Sequence, residues 1–340
     1  AGAAERAVAM AKAAPEDDTQ GLAPEAALMK GPLPDLDIDD PTSPAMADLI
    51  ERARGLENVM RRVPGGTKSG GASASTRHAA RAMATTRGFS ASYATSTHSH
   101  GATAIAGDGT KMERDYWYSA RRHLADLEGA ESVGRTAGAR AVRRLGSEPI
   151  STRTTTVIFE PRAAAGFVGH LLSAINGTAV ARGASLLAGK LGERVFPAGI
   201  TVRDDPLVPR GQASRPVEGE GLPAEALELV SDGVLAAYLL DLQSARKLKL
   251  APNGRAYRGT GAPSPTTSNV SVTGGSGDLE QLIKDAGSGL LVTDLIGMGA
   301  NIVNGNYSRG AAGVWFEGGE GVHPVSEGTV SGTVGERCAR

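Results

Sequence analysis

Cysteine is almost missing from this chain: Cys338, next to the C-terminus, is the single one in 340 residues. That excludes an intrachain disulfide and any cysteine-rich zinc site. Aromatic residues make up only 4%, so the core has to be built from aliphatic side chains. No apolar run approaches the ~18 residues that would suggest a membrane span, and the N-terminus lacks a charged-then-apolar signal pattern. The expectation is a cytoplasmic protein with no membrane contact. The Asn-x-Ser/Thr triplets at Asn176, Asn269 and Asn306 then read as chance matches. Charge of one sign is lacking too: 36 Lys plus Arg face 37 Asp plus Glu, a net charge of -1. A protein that grips nucleic-acid phosphates is usually basic or carries a basic stripe, so no nucleic-acid partner is expected. The densest cationic cluster is Arg140, Arg143 and Arg144, near the end of a predicted helix. Cations there suit the helix dipole, and the cluster reads as a solvated helix end.

What the chain does have is glycine, 46 residues of it, within an ordinary globular profile of 40% hydrophobic and 21% charged residues. The length suits about two domains. Residues 1–14 read as a helix with no N-cap and no initiator Met, so the chain is expected to be cut short at its start. A Pro- and Asp-rich loop follows to residue 44. Ser43-Pro44 then looks like an N-cap with proline at the first helical position. Met46, Leu49, Ile50, Ala53, Leu56 and Met60 recur at helical spacing, which predicts an amphipathic helix over 44–62. Short Ser/Thr/Ala-rich runs broken by glycines predict an antiparallel meander of four strands, near 80–86, 89–97, 100–106 and 112–120. A helix over 131–145, closed by Gly146, completes an α+β first domain, residues 1–148.

The second domain, 149–340, is expected to be β-rich with a few helices. Residues 154–159 predict a strand leading into a helix over 162–176. One side of that helix carries Phe167, Val168, Leu171, Leu172 and Ile175; the other carries Gly166, His170, Ser173 and Gly177. Further strands are expected at 226–231, 234–240, 289–295 and 311–317, with Gly318-Gly319 as the last turn.

Chemistry-bearing patterns are sparse. His98 and His100 share a strand face, but no nearby Cys or carboxylate at suitable spacing completes a metal site. Glu218 and Glu220 could suggest acid–base work; in a Gly-rich loop, capping backbone amides or binding a partner is the better reading. Gly297-Met-Gly299 lacks the third glycine of a dinucleotide fingerprint, and Pro64 to Gly70 lacks the spacing of a phosphate loop. No Gly-x-Ser-x-Gly elbow and no placed nucleophilic Cys occurs.

One ordered set of stretches stands out. It runs from Glu5-Arg-Ala-Val-Ala-Met-Ala-Lys12 through Ala104-Ile-Ala-Gly107 and Met112-Glu-Arg-Asp-Tyr116 in the first domain. In the second come Gly169-His-Leu-Leu-Ser-Ala-Ile175, Asp204-Asp-Pro206, Glu218-Gly-Glu-Gly221, Ser244-Ala-Arg-Lys-Leu248 and Thr293-Asp-Leu-Ile-Gly-Met-Gly299. The most specific is Tyr307-Ser-Arg-Gly-Ala-Ala-Gly313, with Pro324-Val-Ser-Glu327 downstream. The set spans nearly the whole chain and resembles the PmbA (TldE) branch of the TldD/PmbA family. The chain departs from the family pattern at Asn306, at Val217-Glu218 and at Gly328, where an aliphatic residue is expected. Its last residues do not align, so it is expected to lack the family's C-terminal end as well.

The resemblance implies a role in a cytosolic zinc-peptidase assembly acting on unfolded or peptide substrates. Active TldD-type members carry His-Glu-x-x-x-His on the helix after the domain-opening strand, two imidazoles for zinc and a carboxylate for the metal-bound water. In this sequence Ala165 and Gly166 stand at the first ligand and the base, and only His170 remains. Cys338 is no counterpart of the family's late cysteine ligand. The implied reading is a subunit with no catalytic residue, metal or cofactor of its own, zinc being supplied by a TldD-type partner. Glu220 and Arg309 are the candidate substrate or partner contacts, and alone the chain is expected to form a homodimer. Two alternatives stay open: a peptidase with an unrecognised or shared site, and a regulator linked to DNA gyrase or nucleic acid, as an old family name suggests.

Overall fold

The structure, a computed structural model, describes residues 2–333; Cys338 lies outside them. The fold is α+β. Helix α1 (Gly2–Ala13) precedes the Pro/Asp-rich loop, and α2 (Met46–Arg61) follows it. The cap of α2 is not Ser43: the N-cap is Ala45, whose N–H donates to the Asp48 carboxylate at 3.1 Å. An acid three residues on thus does the capping, and Pro44 lies one place outside the helix.

The predicted four-strand meander is a three-strand sheet of order β1-β2-β3, with β1 (Lys68–Ala84), β2 (Ser90–Ala106) and β3 (Glu113–Arg121). The runs 89–97 and 100–106 belong to one 17-residue strand, because Thr76, Ser75 and Ala74 pair with His98, Ser99 and His100 straight through the expected break. Helix α3 (Ala130–Val142) lies with α2 on one face of this sheet. Their core is Leu56 and Met60, Ala102, Ala104 and Ala106, and Val133, Ala137 and Ala141. With so few aromatics, close approach replaces bulk. A Cβ on Gly134 would sit 2.6 Å from Leu56 O, so α2 and α3 touch backbone to backbone there.

Strand β4 (Thr156–Phe159) leads directly into α4 (Pro161–Ala174), with Pro161 at its start. Short α5 (Gly177–Ala181), β5 (Thr201–Asp205), β6 (Leu227–Ser231), β7 (Val234–Leu235), α6 (Leu242–Leu248), β8 (Ala256–Tyr257), β9 (Ser264–Pro265), β10 (Asn269–Thr273) and α7 (Leu279–Ala286) follow. Three long strands finish the described chain: β11 (Ser288–Ile296), β12 (Asn306–Glu317) and β13 (Glu320–Thr333). One sheet has the order β10-β5-β6-β7 and another the order β13-β12-β11-β4, in which β4 and β11 are parallel.

The strand expected over 234–240 stops at Leu235, because Leu239 N–H donates to Ile175 O rather than to a neighbouring strand. The strand expected over 311–317 starts five residues earlier, at Asn306. Helix α4 lies between the two sheets. Phe167 packs with Phe159, Val292 and Tyr307 on the β11–β12 side, while Leu171, Ala174 and Ile175 join Val202, Leu229 and Leu235 on the β5–β6 side.

Arg140, Arg143 and Arg144 are not a solvated end. Arg140 pairs with Glu160 at 2.7 Å and Asp115 at 3.5 Å and lies over the Trp117 ring; Arg144 pairs with Glu113 and Asp294, both at 3.2 Å; Arg143 reaches Glu160 at 3.5 Å. Arg162 adds a bond to Asp115 at 2.9 Å. This network ties β3 and α3 to α4 and β11.

Candidate functional site

The face of α4 singled out by sequence is closed by β12. The β12 register places Tyr307 and Arg309 on alternate residues, and both reach α4. Tyr307 is stacked on Phe167 at 5.1 Å, and the His170 ring meets both, at 6.0 Å from Tyr307 and 6.2 Å from Phe167. His170 Nε2 is buried and has no hydrogen-bond partner among the described residues. Burial, followed by the Arg309 charge, holds its pKa below the usual histidine value, so the imidazole is neutral at pH 7.

Arg309 lies over Gly166. A Cβ built on Gly166 would be 3.5 Å from Arg309 Nη1. Nη2 donates to Leu295 O at 3.1 Å, and Nε is buried without an acceptor among the described residues. Ala165, one residue earlier, is exposed. The site is therefore a neutral imidazole, a guanidinium and two aromatic rings around a helix that offers no carboxylate.

Glu220, the other candidate contact, sits elsewhere and is engaged within the chain. Its Oε2 accepts from Leu242 N at 2.8 Å, at the start of α6. Glu218 Oε1 accepts from Glu220 N at 2.9 Å and Leu222 N at 2.7 Å, so both acids hold backbone amides of the 216–222 loop and its neighbour. Burial pushes each carboxyl up to about 7. For Glu218 the nearby Glu220 charge adds to the rise; for Glu220 the added repulsion comes from Asp241.

His98 and His100 do share a buried face. His98 is held by Thr76 Oγ1 at 3.0 Å and Asp40 at 3.3 Å, and His100 Nδ1 faces Arg52 at 3.4 Å. Asp40 in turn accepts from Thr42 N and Leu124 N, so the pair anchors the loop before α2 onto the sheet. Among the described residues no three His, Cys, Asp or Glu side chains converge so as to hold a metal ion. No helix among them is long and apolar enough to cross a membrane. Residues that the sequence did not single out are Arg215 and Arg255: Arg255 forms a fully buried ion pair with Asp204 at 2.6 Å. Only the Asp204-Asp-Pro206 stretch hinted at it.

Comparison with known proteins agrees with this architecture. Residues 151–339 match the family model described as the PmbA/TldA metallopeptidase C-terminal domain, and 34–145 match the central domain of the same family. The Haemophilus influenzae protein named metalloprotease PmbA homolog is 35% identical over 338 residues, covering 97% of this chain and 72% of that protein. Metalloprotease PmbA of Escherichia coli O157:H7 is 35% identical over 305 residues, 88% of this chain, and the alignment spans 65% of that relative's length. The crystal structure of TldE from Thermococcus kodakarensis superposes with a TM-score of 0.85 at 23% identity, over 98% of this chain and 76% of that one, which shows a shared fold. An α+β chain with this sheet order and these matches defines a metallopeptidase-like class. The chain belongs to the PmbA/TldD family.

Proposed function

We propose that this chain is the PmbA-type subunit of a two-subunit peptidase, in which a TldD-type partner supplies the zinc and cuts unfolded or peptide substrates. On this reading the chain divides near residue 149, forms part of the wall around the substrate, and forms a dimer when alone. It carries no catalytic residue, metal or cofactor of its own. The observation that carries the reading is Arg309 seated over Gly166. A peptidase of this family needs a carboxylate at that position and an imidazole at Ala165. A catalytic zinc site takes three protein ligands and an open position. Here His170 is alone, and a guanidinium close by opposes a divalent cation. The residues on α4 do not fit zinc.

What they do fit is peptide binding. Arg309 supplies a half-buried cation on this face, beside neutral His170 and the rings of Phe167 and Tyr307. Glu220 contributes by holding the 216–222 loop in shape against α6. The test is reconstitution: the purified chain, a TldD-type subunit, and the two together are assayed for cleavage of an unfolded peptide, with light scattering on each sample. Cleavage that needs both chains, and a mixed complex in scattering, is expected. Cleavage by this chain alone would favour the independent-peptidase reading instead. Failure to bind the partner or alter its cleavage would overturn the proposal.

A further inference from the structure

Between the β1–β2 hairpin and the loops around Arg215 and Tyr257 runs a groove that the reading above does not use. One part of it is a pocket of about 190 Å³. A second pocket, of about 280 Å³, shares Arg81, Tyr93, Arg215 and Tyr257 with the first, so the two form one trough. Guanidinium groups dominate it: Arg81, Arg215 and Arg258 line the first pocket with Glu218, Arg77 and Arg122 line the second, and Glu220 lies in an adjoining pocket.

Most of these cations are accounted for. Arg122 donates to the carbonyls of Ser96, Gly211 and Gln212, Arg258 Nε donates to Gly219 O, and Arg81 lies 5.6 Å over the Tyr257 ring. Arg215 is different. Its Nε and Nη2 are buried and have no acceptor among the described residues. The acids around it are engaged: Asp204 by Arg255 and by Ser268 N and Oγ, and Glu218 Oε1 by two amides. Glu218 Oε2, on a side chain that is 1% exposed, is also buried without a partner and lines the same pocket.

Buried donors left unpaired are costly, and native proteins rarely keep them without a use. Nε and Nη2 are the side-on pair with which a guanidinium grips a carboxylate through two parallel hydrogen bonds. We propose that this groove is a carboxylate-binding site on the chain itself. Arg215 is the anchor and Arg81 stands at the exposed mouth. Met83, Ala91 and Val217 form an apolar wall for the group that carries the carboxylate. The ligand that matches is the C-terminal residue of a peptide ending in an apolar side chain. Phosphate fits less well, because Glu218 faces the same pocket and repels a dianion, while it can share a proton with a monoanionic carboxylate. The site is separate from the α4 face and does not depend on whether the chain binds zinc or a partner.

Calorimetric titration of the full chain with N-acetyl-leucine, N-acetyl-leucinamide and inorganic phosphate tests this. Saturable one-to-one binding of the acid is expected, with the amide and phosphate at least tenfold weaker. R215Q should lose at least tenfold in affinity for the acid and R81Q a smaller but clear factor. Should R215Q fail to fold, R81Q decides, because that side chain is exposed. No saturable binding of the acid, equal binding of acid and amide, tighter binding of phosphate, or wild-type affinity in R81Q would each overturn the proposal.

Discussion

Gly166 and Arg309 face each other across α4 and β12, close enough that a Cβ on Gly166 would stand 3.5 Å from the guanidinium Nη1. On the proposed reading, that pairing is what leaves the helix without a catalytic role. Where a catalytic sibling needs a carboxylate, this chain has space, and a cation fills the space next to it. G166E should therefore fold and form an ion pair with Arg309 without creating peptidase activity. Part-exposed pairs contribute about 0.2–1 kcal/mol, so a small rise in stability is expected. Cleavage of a peptide by G166E alone would contradict it.

Glycines on helices separate two effects. Gly169 lies on α4, is exposed, and has nothing near the position of a Cβ, so G169A should stabilise by roughly 0.5–1 kcal/mol. Gly134 lies on α3 against Leu56 O at 2.6 Å, so G134A should destabilise by about 1–3 kcal/mol through overpacking. Chemical denaturation of both variants checks the sign of each; a neutral or stabilising G134A would show that the α2–α3 contact is misplaced, and a destabilising G169A that the space beside Gly169 is not open.

Core packing on α4 is measurable in the same way. Leu171 is buried in the cluster with Leu229 and Leu235, so L171A should cost about 2–5 kcal/mol. R143A removes a partly exposed side chain 3.5 Å from Glu160 and should cost under about 1 kcal/mol. Equal losses in the two variants would show that the helix face is wrongly assigned.

The buried loop acids set a pH dependence. Glu218 and Glu220 have folded-state values of about 7, above the ordinary glutamate value of 4.5, so between those values the folded chain holds more protons than the unfolded one. Stability contributed by this difference is full at the acid end and falls as pH rises through about 7. The groups facing the pair are Arg215, Arg246, Arg258 and Asp241. Melting temperature should drop from pH 5.5 to pH 8, and E218Q should flatten the slope. A rise in stability across that range, unchanged by E218Q, would contradict the assignment.

Much of the architecture is legible in the residues. Helices α2, α3 and α4 declare themselves through apolar spacing and end signals, and all three lie within a few residues of their expected bounds. Strand β1 is harder to see, because Gly70, Gly71 and a run of small Ser and Ala residues carry no alternation in hydrophobicity. Strand β13 is masked by Gly321, Pro324 and Gly328, residues that normally interrupt a strand. The cationic cluster at Arg140 looks solvated in sequence because its partners Glu160, Glu113 and Asp294 are distant along the chain, and burial of an ion pair leaves no local pattern. The site is legible in part: motifs mark His170, Arg309 and Glu220, yet only the fold brings Arg309 to Gly166, and nothing local marks Arg215 as a half-buried cation with Nε and Nη2 out of reach of solvent.

The most direct test of the account is the zinc content of this chain by itself. The purified protein is incubated with an equimolar amount of zinc, desalted, and its metal measured by mass spectrometry, alongside H170A. Well under one zinc per chain, with the two proteins alike, is the result expected from a helix that carries Ala165, Gly166 and a neighbouring guanidinium. Close to one zinc per chain in the wild type, lost in H170A, would contradict it.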